Sequence, residues 1–390
     1  MTHWSGEVRI SQFQSMSIIF TYQKLYRAYL SCRQNKRKTV SALDFELNFE
    51  KNLRDLLREL KNRKYAPGKS ICFAVSKPKV REIFASDFRD RIVHHLLVNE
   101  IIEYNRRRFI YDSYACLKDK GTQKAIKRLK YFIRHEVNSG KKNSWYIKMD
   151  VAGFFASIDQ NILFEIFSRF IENKKRHPRW KTEMLWLGRL IIFYRCQDNF
   201  FAKGNLKLLA SVPLEKSMFG QPFGKGLPIG NYTSQFFANL YLHELDCFIK
   251  RELKIKKYLR YVDDFVIIDS DVDKLRALPD KVDKFLREKL KLKLRPKKTI
   301  IRPIKSGIEF LGYFVKTDYA LVKNDIVQRL KEKMRVATDD ANMMATINSY
   351  FGHFSHAQSF VLRASVCKKL SHQFEYFDDC KKINLISRSS

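Results

Sequence analysis

The chain lacks several features that would settle its class at once. No apolar run approaches the length needed to cross a bilayer. The opening stretch MTHWSGEVRISQFQ has no basic segment followed by an apolar core, so no secretory leader is expected. No C-x-x-C pair occurs, and the seven cysteines (Cys32, Cys72, Cys116, Cys196, Cys247, Cys367 and Cys380) are scattered and odd in number. That excludes a disulfide framework and predicts reduced thiols in a cytoplasmic setting. There is no internal repeat and no low-complexity linker. Acids are scarce: 41 Asp and Glu stand against 75 Lys and Arg, a net charge of +34 on 390 residues.

What is present is apolar and basic. Hydrophobic residues make up 45%, with 31 Phe and 18 Tyr, enough for a large core divided over two or three subdomains. The cationic excess predicts a polyanionic partner, with nucleic acid first. A membrane surface is not expected, because the cations do not line one amphipathic helix. They recur in NRRRF (105–109), KKRHPRWK (174–181), KIKKYLR (254–260) and KLKLRPKK (291–298), which suits a groove that tracks a phosphate backbone.

Periodicity predicts helices over 16–33, 41–62, 88–104 and 121–137. The second would open with Ser41 as N-cap and Asp44 in its first turn, and bury Leu43, Leu47, Leu53, Leu56, Leu57 and Leu60. Residues 71–85 read as two strands around Lys77-Pro78. WYIKMDV (145–151) alternates, with Ile147, Met149 and Val151 on one face and Tyr146, Lys148 and Asp150 on the other. A helix capped by Asp159 follows, with Leu163, Ile166, Phe167 and Phe170 inward. Residues 171–215 read as a basic, irregular insertion. The Gly-punctuated loop GKGLPIGNYTSQ (224–235) enters a helix reaching about Leu253. Then come the hairpin LRYVDDFVIID (259–269), a helix over 273–290, a strand pair ending in IEFLGYFV (308–315), and helix throughout 324–390. The order predicts an α+β sheet with helices on one face.

The chemistry-bearing feature is a pair of adjacent acids, Asp263 and Asp264, in an apolar hairpin. Alone they could form a solvated turn. If the strand ending at Asp150 neighbours that hairpin, three carboxylates converge, which is a donor set for Mg²⁺. Two such ions suit in-line phosphoryl transfer.

YVDD, IKMDVAGFFASID and GLPIGNYTSQFFANLYL resemble a reverse transcriptase, and further motifs follow in family order: SKPKVREIFASDFRDRIVHHLL (76–97), YDSYACLKDKGTQKAI (111–126), LKLRPKKTII (292–301) and IEFLGYFV. The likeness covers residues 41–390. It implies the right-hand polymerase fold of fingers, ferredoxin-like palm and helical thumb. The bounds expected are an N-terminal extension over 1–40, fingers with part of the palm over 41–145, palm over 146–320 with a basic insertion at 171–223, and thumb over 321–390. Ile229 stands where most relatives carry Gln, and Gln235 where they carry Pro. That departure, with SYFGHFSHAQSF (349–360), is similar to the enzymes of diversity-generating retroelements, which copy a template-repeat RNA with errors at adenines. An intron-derived, retron-like or antiphage-defence enzyme, and a non-enzymatic RNA-binding scaffold, are the alternatives. No HNH endonuclease, RNase H domain or protease motif is found. A retroviral polyprotein or a full intron maturase is therefore not expected.

The resemblance also implies roles. Asp150, Asp263 and Asp264 are catalytic and, with Val151, hold two Mg²⁺ ions, for which Mn²⁺ could substitute. Lys77, Arg81, Phe154, Phe155, Ile229 and Lys298 serve the deoxynucleotide, Phe155 as steric gate against the 2′-hydroxyl. Arg89, Arg91, Gly230, Ser234, Gln235, Tyr261, Leu311 and Gly312 serve template and primer. Replacing Gln by Ile229 removes a polar contact and predicts low fidelity, unless the change is silent. The implied partners are template RNA, the cDNA primer strand, deoxynucleotides and an oligomeric accessory variability protein, in a bacterial or phage setting. His353, His356, His372, Cys367 and Cys380 match no zinc spacing, and His94 and His95 read as helix residues.

Overall fold

A computed structural model describes residues 17–34, 39–76, 79–138, 143–337, 339–370, 374–377 and 380–385. In chain order it begins with helices α1 (Tyr22–Arg33), α2 (Val40–Leu47) and α3 (Phe49–Lys61), strands β1 (Ser70–Val75) and β2 (Arg81–Ala85), and helices α4 (Phe88–Arg108) and α5 (Thr122–Asn138). Strand β3 (Trp145–Asp150), helices α6 (Phe154–Ser157), α7 (Gln160–Glu172) and α8 (Pro178–Ile192), strand β4 (Phe200–Ala202), and helices α9 (Leu206–Ala210) and α10 (Tyr232–Cys247) follow. Then come β5 (Tyr258–Tyr261), β6 (Asp264–Asp269), α11 (Val272–Leu290), β7 (Ile300–Pro303), β8 (Ile308–Phe310), β9 (Tyr313–Val315) and β10 (Ala320–Val322). The chain closes with α12 (Asn324–Arg335), α13 (Asp340–Phe354), α14 (Phe360–Cys367), β11 (Phe374–Phe377) and β12 (Lys382–Leu385).

These elements form two compact units. The first takes residues up to 108 and 155–240, and the second takes 109–154 and 241 onward. In the first, β1 pairs antiparallel with β2 and parallel with β4, beside a helical layer in which α1 packs on α4. Asp159 caps α7 by accepting from the backbone of Asn161 and Ile162, and Leu163, Ile166, Phe167 and Phe170 turn inward. Loop 224–231 is tied down at both ends. Gly226 N donates to Ile158 O (2.8 Å), Leu227 N to Phe155 O (2.8 Å) and Phe84 N to Ile229 O (2.8 Å). Gly230 sits at φ +130°, and a Cβ there would lie 2.6 Å from the Phe84 carbonyl, so only glycine fits.

In the second unit a four-stranded antiparallel sheet runs in the order β5-β6-β3-β7. Alternation along the strands aims Tyr146, Leu259, Val266 and Ile268 at one face, where Ala125, Ile126, Leu129 and Ile133 of α5 cover them. Tyr258 and Arg260 point to the other face and bond Asp246 of α10. Tyr241 of α10 also donates its hydroxyl to Leu290 O at the end of α11 (2.6 Å). The sheet therefore carries helices on both faces, not one as its element order suggested.

Other local expectations are revised as well. The helix expected over 41–62 breaks at Asn48 (φ −123°, ψ 46°) into α2 and α3, and Asn52 bonds Phe45 O across the corner. Thr39, not Ser41, is the N-cap of α2. Leu53, Leu56 and Leu60 are buried, whereas Leu43 and Leu47 are exposed, because the break rotates their helix away from the shared face. The stretch 171–215 is more ordered than expected. It contains the 15-residue α8, capped by His177 with Pro178 behind it, and β4, which completes the first unit's sheet. The strands near 308–315 form a separate sheet, β8-β9-β10, turning at Leu311-Gly312, while β7 joins the main sheet. The described residues beyond 370 are not helical: β11 and β12 pair as a hairpin, and Asn348 of α13 exchanges hydrogen bonds with the Ile383 backbone (both 2.8 Å). None of the seven cysteines is in a disulfide, and no described helix is long and apolar enough to cross a membrane.

One buried polar network matters for stability. His94 lies on α4 between Thr233 Oγ1 (2.6 Å) and Ser86 Oγ (3.3 Å), and Ser86 in turn donates to Asn231 Oδ1 (2.9 Å). Burial, then the nearby His95 and Arg91, push the His94 pKa down to about 3. Burial and Arg91 push His95 down to about 4. Both imidazoles are thus neutral in the fold and gain protons on unfolding below about pH 6.5. Stability is full above that pH and falls as pH drops toward the folded values, by about 1.4 kcal/mol per pH unit for each ring. Urea unfolding at pH 7 and pH 5 should show that His94→Gln narrows the stability gap between the two by about 2 kcal/mol. An unchanged gap would mean that His94 is not held neutral.

Candidate active site

β3 and β6 pair in register, so Asp150 stands opposite Asp264. Asp263 occupies the two-residue turn between β5 and β6, and Val151 N donates to its carbonyl (3.3 Å). Arg295 N donates to Asp150 O (2.8 Å) and Ala152 N to Lys293 O (2.9 Å), which seats the segment before β7 against the end of β3. Two residues in sequence and one from more than a hundred positions earlier thus share one sheet corner.

The turn itself is strained. Val262 has φ +54°, a region that L-residues, and β-branched ones above all, avoid. Positive φ at the first of two turn residues is the type II′ pattern, which favours glycine. Such a conformation costs about 1–3 kcal/mol and persists only where its surroundings enforce it. Here the enforcement comes from Arg260, which is fully buried. Its Nε and Nη2 grip both oxygens of Asp246 (2.7 and 2.6 Å), and Nη1 donates to Val262 O (3.0 Å). Tyr258 donates its hydroxyl to the same carboxylate (2.7 Å).

Electrostatics at the corner are set by like charge. Burial, and then Asp150, push the Asp263 pKa up to about 6. Asp264 is raised by burial and partly relieved by Lys148. Lys298 Nζ lies 2.8 Å from Asp150 Oδ2, Arg295 Nε 3.5 Å from the same oxygen, and Lys148 Nζ 3.1 Å from Asp264 Oδ2. With the carboxylates turned to these cations, no group of three His, Cys, Asp or Glu among the described residues closes around a common metal position. The donor chemistry nevertheless suits a hard divalent cation. Three carboxylates meet by backbone pairing, and Asp264 Oδ1 is buried without a hydrogen-bond partner. Lys148 and Lys298 compete for the oxygens such an ion would take.

The remaining sequence-predicted residues spread over both units. In the second, Val151 and Phe154 are buried, and Tyr261 ends β5 with its hydroxyl accepting from Thr122 Oγ1 (3.3 Å). Leu311 and Gly312 form a turn with φ +49° and +87°. Lys298, assigned to the nucleotide, lies against the Asp150 carboxylate. In the first unit, Arg81 opens β2 and is exposed, while Phe155 and Ile229 are half-buried. Gly230 and Gln235 are exposed, and Ser234 is buried in the first turn of α10. Arg89 is engaged by Glu59 and Asp90, and Arg91 Nε donates to Ser86 O (2.7 Å), so both brace their own unit. Lys77 lies outside the described residues. Sequence reasoning missed Lys148, Arg295, Arg260 and Asp246. The alternation that put Lys148 on the Asp150 face was the available signal for the first; the others needed the fold.

Residues 69–315 match the reverse transcriptase (RNA-dependent DNA polymerase) family. Among curated proteins, the group II intron-encoded protein LtrA of Lactococcus lactis subsp. cremoris is 22% identical over 387 residues, covering 79% of this chain. The chain spans only 59% of that protein's length. Protein YkfC of Escherichia coli K12 is 23% identical over 280 residues, covering 63% of this chain and 66% of its own length. Among solved structures, apo telomerase from Candida tropicalis has a TM-score of 0.48 at 14% identity, covering 77% of this chain and 55% of that one. Telomerase from Candida albicans with a fragment of telomeric RNA has a TM-score of 0.48 at 12% identity, covering 79% and 58%. At that level of likeness neither structure bears on the fold.

The Arg260–Asp246 pair gives a test of how the corner is built. Arg260→Met strands a buried carboxylate and should cost about 3–5 kcal/mol in urea unfolding. Adding Asp246→Leu and Tyr258→Phe removes the stranded charge and its donor, and should recover most of that loss. If the triple variant is no more stable than Arg260→Met, the buried pair is not what the single change breaks.

Proposed function

Because the chain belongs to the reverse transcriptase (RNA-dependent DNA polymerase) family and has its α+β polymerase fold, we propose that it is an RNA-templated DNA polymerase whose phosphoryl transfer depends on Asp150, Asp263 and Asp264. The observation that carries this reading is the register of β3 and β6, which sets Asp150 against Asp264 beside Asp263. Asp150 and Asp263, with the Val151 carbonyl and help from Asp264, are the ligands we assign. Bound there, two Mg²⁺ ions, or Mn²⁺ in their place, would supply charge neutralisation for in-line displacement. The chain's own part is positioning. Arg260 holds the turn, and Lys148 and Lys298 set positive charge against Asp264 and Asp150. By family motif, Lys77, Arg81 and Lys298 serve the triphosphate and Phe155, backed by Phe154, the sugar. Gly230, Ser234, Gln235, Tyr261, Leu311 and Gly312 serve template and primer, while Arg89 and Arg91 brace their own unit.

The finer reading is an error-prone enzyme of the diversity-generating type, copying a template-repeat RNA with an accessory protein oligomer as partner. Ile229 and Gln235 support it. The Ile229 carbonyl is held by Phe84 N (2.8 Å) whatever the side chain, so substitution there changes one side chain on a fixed backbone. A second reading, an intron-type enzyme, is favoured by similarity to the group II intron-encoded protein.

Primer extension on an RNA template with Mg²⁺ tests the activity. Asp150→Asn and Asp263→Asn should each lower deoxynucleotide incorporation by about 10²-fold or more, as loss of an electrostatic stabiliser does. Undiminished incorporation would remove these residues from catalysis. No incorporation by the unaltered chain on any template would favour the binding scaffold. Sequencing cDNA made by Ile229→Gln should show fewer errors at template adenines. An unchanged error rate would sink the fidelity role, and accurate copying by the unaltered chain would favour the intron-type enzyme.

A further inference from the structure

Helix α5 has two unlike faces. Ala125, Ile126, Leu129, Phe132, Ile133 and Glu136 are buried on the inward side. The outward side carries Lys124, Lys127, Arg128, Tyr131, Arg134 and His135. That side has no carboxylate. Glu136, the helix's single acid, lies inward and is paired with Lys257. The ordinary explanation for charge on a helix is a solvated face laced with ion pairs, and α11 supplies that case within the same unit. There Arg276 meets Asp273 (2.8 Å), Arg287 meets Asp283 (2.5 Å) and Lys284 meets Glu288 (4.0 Å). α5 departs from it.

Arg128 alone meets a carboxylate, Asp112 (2.8 Å), whereas Lys124, Lys130 and Arg134 are held by carbonyls, which orient them without neutralising them. Lys124 Nζ donates to Asp119 O (2.6 Å), Lys130 Nζ to Asp318 O (3.2 Å) and Arg134 Nε to Thr317 O (3.0 Å). Just before the helix, Lys120 Nζ donates to Tyr111 O (2.6 Å). Burial lowers the pKa of Lys120 and Lys130 and neighbouring cations add to it, opposed in part by Asp112 at Lys120 and by Asp318 at Lys130. Two exposed rings lie in the same strip. Tyr111 is 69% exposed and Tyr131 52% exposed, with the Arg128 guanidinium 5.1 and 4.9 Å from their centroids. Exposed aromatics among unneutralised cations suit unpaired bases and their phosphates. From Lys124 to Arg134 the helix rises about 15 Å, a span of about four phosphates along one strand. A lipid surface would need the apolar side of the helix, and that side is packed on the sheet.

We propose that the outward face of α5, with Tyr111, is a docking surface for single-stranded RNA, engaging its phosphates through Lys124, Lys127 and Arg134. RNA is chosen as the polyanion because of the polymerase reading, and in that respect the proposal rests on it.

Anisotropy of a short unstructured RNA, titrated with salt in the absence of nucleotides and primer, tests it. Lys124→Gln with Lys127→Gln and Arg134→Gln should weaken binding about tenfold or more and lower the log–log salt slope by about 2, at roughly 0.7 per lost phosphate contact. Lys281→Gln with Lys284→Gln and Lys289→Gln removes the same charge from α11 and should leave the slope within about one contact. Matching thermal unfolding of the two triples excludes misfolding as the cause. An unchanged slope in the α5 triple, equal losses in both triples, or a loss confined to anionic vesicles or an acidic peptide would overturn the proposal. A chain that extends no primer would fail the polymerase reading while leaving this measurement intact, since probe binding needs no nucleotide.

Discussion

Three carboxylates crowd one corner of an antiparallel sheet, and their repulsion is the constraint around which the second unit is organised. Burial makes it worse, because the charged form of each acid loses solvation. Asp263 records the strain most clearly, with its pKa near 6. Lys148, Lys298 and Arg295 relieve it from the same unit. None of the three is adjacent in sequence to the acid it meets. The relief therefore exists only once β3, β6 and the segment before β7 are assembled. Val262 adds backbone strain at the same place, and Arg260 ties that strain to α10 through Asp246. The turn is thus fastened from behind by a buried ion pair and faced in front by exchangeable cations.

The loop over 224–235 follows a different logic. Its backbone is fixed by carbonyls and amides of the same unit, and by Ser86, His94, Asn231 and Thr233 in one polar network. Gly230 is required by the approach of the Phe84 carbonyl. Ile229 has no such requirement, for its backbone is held and its side chain is only half-buried. A position of that kind can change side chain without disturbing the fold, which is where a specificity difference between related enzymes is cheapest to place.

Much of this was legible in the sequence because the signals were local. Asp159 caps its helix, WYIKMD alternates, and the YVDD hairpin turns where an Asp tolerates it. What was not legible depends on pairing at a distance. The break at Asn48 leaves Leu43 and Leu47 exposed, although their heptad-like spacing reads as core. β4 is only three residues long and shows itself as a strand only by pairing with β1. The hairpin beyond residue 370 is fastened by Asn348, and Arg260 reads as one more basic residue until Asp246 is seen beside it. The carboxylates could be nominated from type and order, but the lysines that face them could not.

The same distinction applies to the net charge. A value of +34 says that a polyanion is expected but not where it binds, because a cation counts equally whether or not a carboxylate lies against it. The fold sorts them. Arg260, Lys250, Arg128 and Lys257 are consumed by Asp246, Asp112 and Glu136 and stabilise the unit from within. Lys148, Lys298 and Arg295 lie against Asp264 and Asp150. α11 balances its lysines and arginines with acids along its own surface. Lys124, Lys127 and Arg134 on α5 fall into none of these groups. In sequence these positions, at i, i+3 and i+10, look like the ordinary spacing of a solvated helix face. Only the inward placement of Glu136 leaves the face without a counter-charge. A helix that keeps its one acid for an internal lysine and presents bare cations with the exposed Tyr131, beside Tyr111, is built to meet a charge from outside the chain.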